Sequence, residues 1–320
     1  MHFIILTLIL FVVMIAYFKI ANKYNIIDKP NHRSAHTQVT LRGGGIIFPV
    51  AFIAFCLFNL NEVVQNYWSF GLGLLAICTI SFIDDVKTLS NKIRLSIHLI
   101  SVILLLYFTG AFSLMPFWTW PILFVMIIGT LNAYNFMDGI NGMTGIYSLV
   151  TLGSLAYINK DVIQFTDENF IIYPILACLV FLFFNFRKKA KCFAGDVGSM
   201  GIGFWIIGLI TLLIMRTGEY KYILLLSIYG MEVVLTITER ILLKENIFEA
   251  HRRHLYQLFA NEKKISHLVI SSVYAVCQLL INIFLIYSQF PIWFIILIIF
   301  IPFGGIYLGL KWKLKKEYNL

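Results

Sequence analysis

Charge is what this sequence has least of. Only 13% of its 320 residues are Asp, Glu, Lys or Arg, whereas 60% are hydrophobic and the mean hydropathy is +0.85. Soluble globular domains carry about 25% charged residues and disordered chains more, so both classes are excluded. No polar linker, low-complexity tract or soluble domain interrupts the chain, and residues 1–320 read as a single membrane-embedded domain. The five cysteines, at 56, 78, 178, 192 and 277, show no ligand spacing, and four lie in apolar runs. They read as small apolar residues. A GK[ST] phosphate loop and an HExxH zinc pair are both absent. The first apolar run lacks a basic leader and a small-residue cleavage site, and Lys19 follows it. It is expected to be a retained first helix.

What the sequence has is a succession of apolar segments long enough to cross about 30 Å of hydrocarbon as helices. Eleven can be marked, roughly at 3–20, 43–60, 66–83, 95–113, 117–135, 143–158, 170–186, 199–215, 220–238, 267–286 and 291–310. The expected fold is therefore all-α, a polytopic bundle of about eleven transmembrane helices. If the loops alternate sides, one side carries only Lys160, Arg216 and Lys221 of the 25 Lys and Arg, and the other carries 22. Basic loops stay in the cytoplasm, which predicts the N-terminus out and the C-terminus in. The net charge of +9 suits anionic lipid and anionic substrates. Nucleic acid is not expected as a partner, because no basic segment forms a separate domain.

The few acids stand at the edges of apolar runs: Asp84, Asp85, Asp138 and Asp196. A charge at the centre of a span costs roughly 2.5–3.5 kcal/mol, so these residues must reach the water boundary or line a polar cavity. All four fall on the predicted cytoplasmic face, along with the other polar loops. In DKPNHRSAHTQVTLRGGG, 28–45, Arg33, His36 and Arg42 can donate to phosphate, and the glycines permit close backbone approach or amides turned toward an anion. In SFIDDVKTLSNKIRL, 81–95, the Asp84–Asp85 pair lies near Lys92 and Arg94. That combination suits a magnesium–diphosphate site. In NAYNFMDGINGM, 132–143, Asn132, Asn135 and Asp138 share one helix face before Gly139 and Gly142 break it. In FAGDVGSMG, 193–201, Asp196 opens a helix between glycines, where the helix N-terminus favours an anion. In EAHRRHLYQ, 249–257, His251 and His254 flank Arg252 and Arg253, a pattern closer to phosphate recognition than to zinc ligation. Each segment alone also reads as a topogenic basic loop, a helix cap or interhelical polar packing. Five on one face do not.

In this order, DKPN..R..H.....GGG, the DD pair followed by S.KIR, NAYN..DGINGM, GDVGS and H..H resemble the polyprenyl-phosphate N-acetylhexosamine-1-phosphate transferases. These form glycosyltransferase family 4, with the enzymes that initiate O-antigen, common antigen and teichoic acid and the muramoyl-pentapeptide transferase. The resemblance runs from about residue 28 to 257. It implies transfer of an N-acetylhexosamine-1-phosphate (GlcNAc or a 6-deoxy relative) from a UDP-sugar to undecaprenyl phosphate at the bacterial inner membrane, with the site facing the cytoplasm. It further implies Mg²⁺, or Mn²⁺ in its place, and allows a homodimer. By motif, Asp196 and Asn135 are expected to ligate the metal. Asp84, Asp85, Asp138, Asp196, His251 and His254 are expected to be catalytic. Arg33, His36, Lys92, Arg94, Arg252 and Arg253 are expected on phosphate oxygens, and Asn141 on uracil. Many bacterial relatives carry aspartate where Asn141 stands, so aspartate is expected to be tolerated there. The HRRH variant is similar to that of enzymes preferring 6-deoxy amino sugars. A secondary transporter of an anionic solute is the alternative, but it should show midplane polar sites and a repeat between halves. A phosphatidyltransferase would need a DG..AR….D motif, which is absent.

Overall fold

A computed structural model describes residues 2–28, 39–60, 63–247, 249 and 251–318. Within these the chain forms a helix bundle: α1 (His2–Lys23), α2 (Ile47–Phe58), α3 (Trp68–Val86), α4 (Asn91–Phe108), α5 (Trp120–Met137), α6 (Met143–Tyr157), α7 (Glu168–Asn185), α8 (Gly195–Thr217), α9 (Ser227–Leu242), α10 (Leu255–Asn261), α11 (His267–Tyr287) and α12 (Ile292–Tyr318). The only strands among the described residues are two short antiparallel ones, β1 (Ile27–Asp28) and β2 (Thr40–Leu41). Hydrocarbon offers backbone groups no partners, so a spanning chain must satisfy them within helices. Polar side chains and glycines mark the ends. Ser90 Oγ accepts from Ile93 N to start α4, and Asp167 Oδ1 accepts from Asn169 N to start α7. Gly218, at φ 72°, closes α8.

All eleven predicted segments fall on helices. Nine helices among the described residues are long and apolar enough to cross a membrane, making this a polytopic helical membrane protein. The segments predicted at 43–60 and 143–158 are shorter. One is the apolar helix Gly44–Phe58 and the other is the 15-residue α6, which continues as a wider turn at Ile158–Val162. Both are packed inside the bundle. The most buried span is α8, which packs against α3, α5 and α6. Its approach to the first loop is set by glycine. A Cβ on Gly45 would come within 2.0 Å of the Gly198 Cα, so any larger residue would push the two segments apart.

The last helix departs from expectation. The sequence reading ends it near 310 and leaves a basic tail, but α12 continues to Tyr318. Lys311 is buried, with Nζ 2.5 Å from Glu239 Oε2, and Lys315 also pairs with Glu239. An acid on α9 compensates the lysine charges, so the helix need not stop where the basic residues begin.

Candidate active site

One end of the bundle gathers the C-termini of α3, α5 and α9 with the N-termini of α4, α8 and α10. A cavity of about 620 Å³ opens there, within the size range of small-molecule sites. Asn91, Arg94 and His98, one face of α4, form one wall. The Asn132, Asn135 and Asp138 face of α5 forms another, and Glu249, His251, His254 and Tyr256 close it.

The carboxylates are held by the loops that bear them. Asp84 Oδ1 accepts from Leu89 N at 2.7 Å, tightening the turn between α3 and α4, and its Oδ2 lies 2.9 Å from Arg94 Nη1. Asp85 is fully buried. Its Oδ1 accepts from Asp196 N at 3.1 Å and its Oδ2 from Val197 N at 3.3 Å. A side chain from α3 thus caps the start of α8, where helix amides otherwise lack acceptors. Gly195, at φ 72°, sits against it, and a Cβ there would lie 2.5 Å from Asp85 Oδ2. Arg42 Nη2 pairs with Asp85 at 2.7 Å and reaches Asp196 Oδ1 at 3.5 Å. Burial opposes the Arg42 charge, but Asp85 and then Asp196 outweigh it and hold its pKa above the ordinary value. Asp196 is partly exposed, with Oδ2 4.0 Å from Arg94 Nη2. Ser199, one turn along α8, accepts from Asn135 Nδ2 at 3.3 Å, which ties α5 to the same helix start. Arg94 therefore joins the cavity wall to both Asp84 and Asp196.

Asp138 ends α5 and accepts from Thr144 Oγ1 at 2.6 Å. Burial pushes its carboxyl up to about 7, and the charges of Asp196 and Asp85 add to that effect. His251 Nδ1 accepts from Arg253 N at 3.3 Å. Burial first, then His254, lowers the His251 pKa to about 4. Its ring is neutral near pH 7, with the proton on Nε2.

Other expected site residues are placed differently. Arg33 and His36 lie outside the described residues. The amides of Gly44 and Gly45, expected to face an anion, donate instead to Phe193 O and Ala194 O at 2.8 and 2.9 Å. They bind the first loop to the segment ahead of Asp196. Arg253 is engaged away from the cavity, with Nε 3.0 Å from Glu245 Oε2 and Nη1 3.7 Å from Glu239 Oε1. Neither Lys92, which is exposed, nor Arg252 lines the cavity. Asn141 is buried and is not in the cavity wall; its Nδ2 donates to Arg187 O at 2.7 Å. The sequence reading missed Asn91 and His98, although their spacing from Arg94 puts all three on one helix face.

The oxygen donors present suit a hard divalent cation. Three carboxylates, Asp84, Asp85 and Asp196, face the two guanidiniums of Arg42 and Arg94. No group of three metal-binding side chains occurs among the described residues. Mg²⁺ commonly takes one or two protein carboxylates and completes its shell with water and substrate phosphate, so Asp196 and Asn135 fit that pattern.

The sequence is similar to those of known proteins. A family model described as Glycosyl transferase family 4 matches residues 67–214, which include Asp84, Asp85, Asp138 and Asp196. The chain is 28% identical over 276 residues to a probable undecaprenyl-phosphate N-acetylglucosaminyl 1-phosphate transferase of Bacillus subtilis (strain 168), covering 79% of this chain and 75% of that protein. It is 24% identical over 345 aligned positions to the undecaprenyl-phosphate alpha-N-acetylglucosaminyl 1-phosphate transferase of Escherichia coli (strain K12), covering 98% and 92%. It is 28% identical over 240 residues to a phospho-N-acetylmuramoyl-pentapeptide-transferase of Prochlorococcus marinus subsp. pastoris, covering 63% and 64%. With its helical membrane fold and the carboxylate–arginine cluster at one end of the bundle, this chain is similar to the members of glycosyl transferase family 4.

Proposed function

We propose that the protein transfers an N-acetylhexosamine-1-phosphate from a UDP-sugar to undecaprenyl phosphate in a bacterial inner membrane, releasing UMP. An oxygen of the acceptor phosphate attacks the phosphorus that bears the sugar, and the bond to the UMP oxygen breaks. One phosphoanhydride replaces another, so the reaction needs little covalent chemistry from the protein. Positioning and neutralisation of phosphate charge are its main tasks. The observation that carries this reading is the meeting of Asp84, Asp85 and Asp196 with Arg42 and Arg94 beside a cavity of about 620 Å³ at the bundle end.

Arg94 faces the cavity and is suited to a phosphoryl oxygen. His251 supplies an Nε2–H donor near neutral pH. Asp85 acts by holding the start of α8, and with it Asp196, in place. When bound by Asp196 and Asn135, Mg²⁺ would neutralise charge on the diphosphate. The resemblance of the HRRH sequence at 251–254 to that of enzymes preferring 6-deoxy amino sugars supports such a donor beside GlcNAc. The test is a panel of UDP-N-acetylhexosamines with undecaprenyl phosphate and Mg²⁺, scored by lipid-product mass. A lipid heavier by one sugar phosphate is expected. No product from any donor, with the chain folded, would overturn the reading.

A further inference from the structure

Glu232 lies on α9 outside the cavity wall, and no motif marks it. It is 2% exposed, yet its carboxylate collects donors from three other elements. Its Oε1 accepts from Leu255 N at 2.6 Å and from the Tyr307 hydroxyl at 3.3 Å, and its Oε2 accepts from the Tyr274 hydroxyl at 2.6 Å. The imidazole beside it is His254, whose Nδ1 lies 3.4 Å from Oε1. His254 is also 2% exposed, and it lines the cavity. Neither of its ring nitrogens completes a well-formed hydrogen bond among the described residues; besides Glu232, the ring has only a loose capping contact with the Gln257 backbone N–H.

A buried imidazole with both nitrogens unsatisfied is costly, because buried polar atoms are almost always paired. One nitrogen already faces a carboxylate at ion-pair distance. The ring also lines the cavity, so a ligand there can meet the other. The neighbouring ring differs. His251 Nδ1 takes a backbone N–H, so that ring needs no carboxylate to settle its tautomer. Lys311 Nζ donates to the Tyr307 hydroxyl at 3.1 Å and pairs with Glu239. It leaves the Nδ1 side of His254 to Glu232.

We propose that Glu232 is the positioning residue for His254. It accepts the Nδ1 proton, and its charge balances an imidazolium that donates from Nε2 to an anionic oxygen of the sugar-diphosphate donor. A carboxylate behind a histidine settles which nitrogen faces the ligand. The brace of Leu255 N, Tyr274 and Tyr307 keeps the carboxylate from turning away. This rests on the transferase reading given above.

The experiment is a double-mutant cycle on the full chain in detergent, using E232Q, H254Q and the pair, read by UMP release. Glutamine keeps the shape of Glu232 and can still accept from Leu255 N. E232Q should lower kcat about tenfold or more while the KM for undecaprenyl phosphate stays within about twofold. On the H254Q background E232Q should cost less than about twofold, because the two residues act as a unit. An equal loss in both backgrounds, or wild-type turnover in E232Q, would overturn the proposal. E232D, which keeps the charge, should retain far more turnover than E232Q; turnover in E232D as low as in E232Q would point to lost packing and overturn the proposal. Nitrogen-15 histidine NMR reads the dyad without turnover, the His254 signal being assigned by its loss in H254Q. A doubly protonated His254 ring in wild type that becomes neutral in E232Q at the same pH is expected, and an unchanged His254 signal refutes the dyad. A wild type with the expected signal but no UMP release would count against the transferase reading instead.

Discussion

Replacing Asp85 by asparagine changes one acceptor oxygen into an NH₂ group with almost no change in volume. The structure sets out what that group would meet. Oδ1 receives Asp196 N and the Arg42 guanidinium, and Oδ2 receives Val197 N. An asparagine can present its one oxygen to the first pair, and its NH₂ then confronts the Val197 N–H, donor against donor. Leaving that buried amide unpaired costs about 1–3 kcal/mol. The Arg42 contact also loses its ionic partner, but the cost of burying the Asp85 charge is relieved with it, and the two offset. The expected loss is therefore about 1–3 kcal/mol of folding stability. It falls on the first turn of α8, which carries Asp196, so turnover should fall together with stability. The assay is SDS or thermal unfolding of wild type and D85N in detergent, paired with UMP release. A D85N protein within about 0.5 kcal/mol of wild type and fully active would refute the capping argument.

Asp138→Asn tests the raised carboxyl. A group whose pKa rises on folding contributes stability that is fully present below about pH 4 and is lost as pH climbs through about 7. Wild type should therefore lose stability relative to D138N between pH 4 and 8, and a pH-independent gap in melting temperature would contradict this. Asn141→Asp, expected from sequence to be tolerated, should instead lower the melting temperature by a loss of about 1–3 kcal/mol, because the carboxylate cannot donate to Arg187 O. A melting temperature equal to wild type would refute that cost. Asp196→Ala should abolish turnover while melting close to wild type, because its carboxylate is the partly exposed one; magnesium-dependent activity in the purified variant would remove it from the metal site. Single cysteines introduced at Thr88 and Lys160 should label from opposite faces of the membrane, and labelling of both from one face would overturn the predicted topology.

Much of the architecture was legible before any coordinates, because hydrocarbon restricts a chain to few solutions. An apolar run of about 20 residues can only be a buried helix, so all eleven segments were placed, and acids at their edges had to meet at a polar surface. The i, i+3, i+6 spacing of Asn132, Asn135 and Asp138 likewise gave one helix face, and that face lines the cavity. Which acid is structural was not legible. Asp84 and Asp85 are adjacent and chemically identical in sequence. Only the fold turns Asp85 into the buried cap of a helix 111 residues away, while Asp84 pairs with Arg94. Glu232 stayed hidden because its partners come from α10, α11 and α12. Arg253 looked like a phosphate ligand until Glu245 appeared beside it. Helix formation depends on local periodicity and the solvent, which one sequence records. The pairing of a particular charge depends on which distant helix packs against it, and only the tertiary structure decides that.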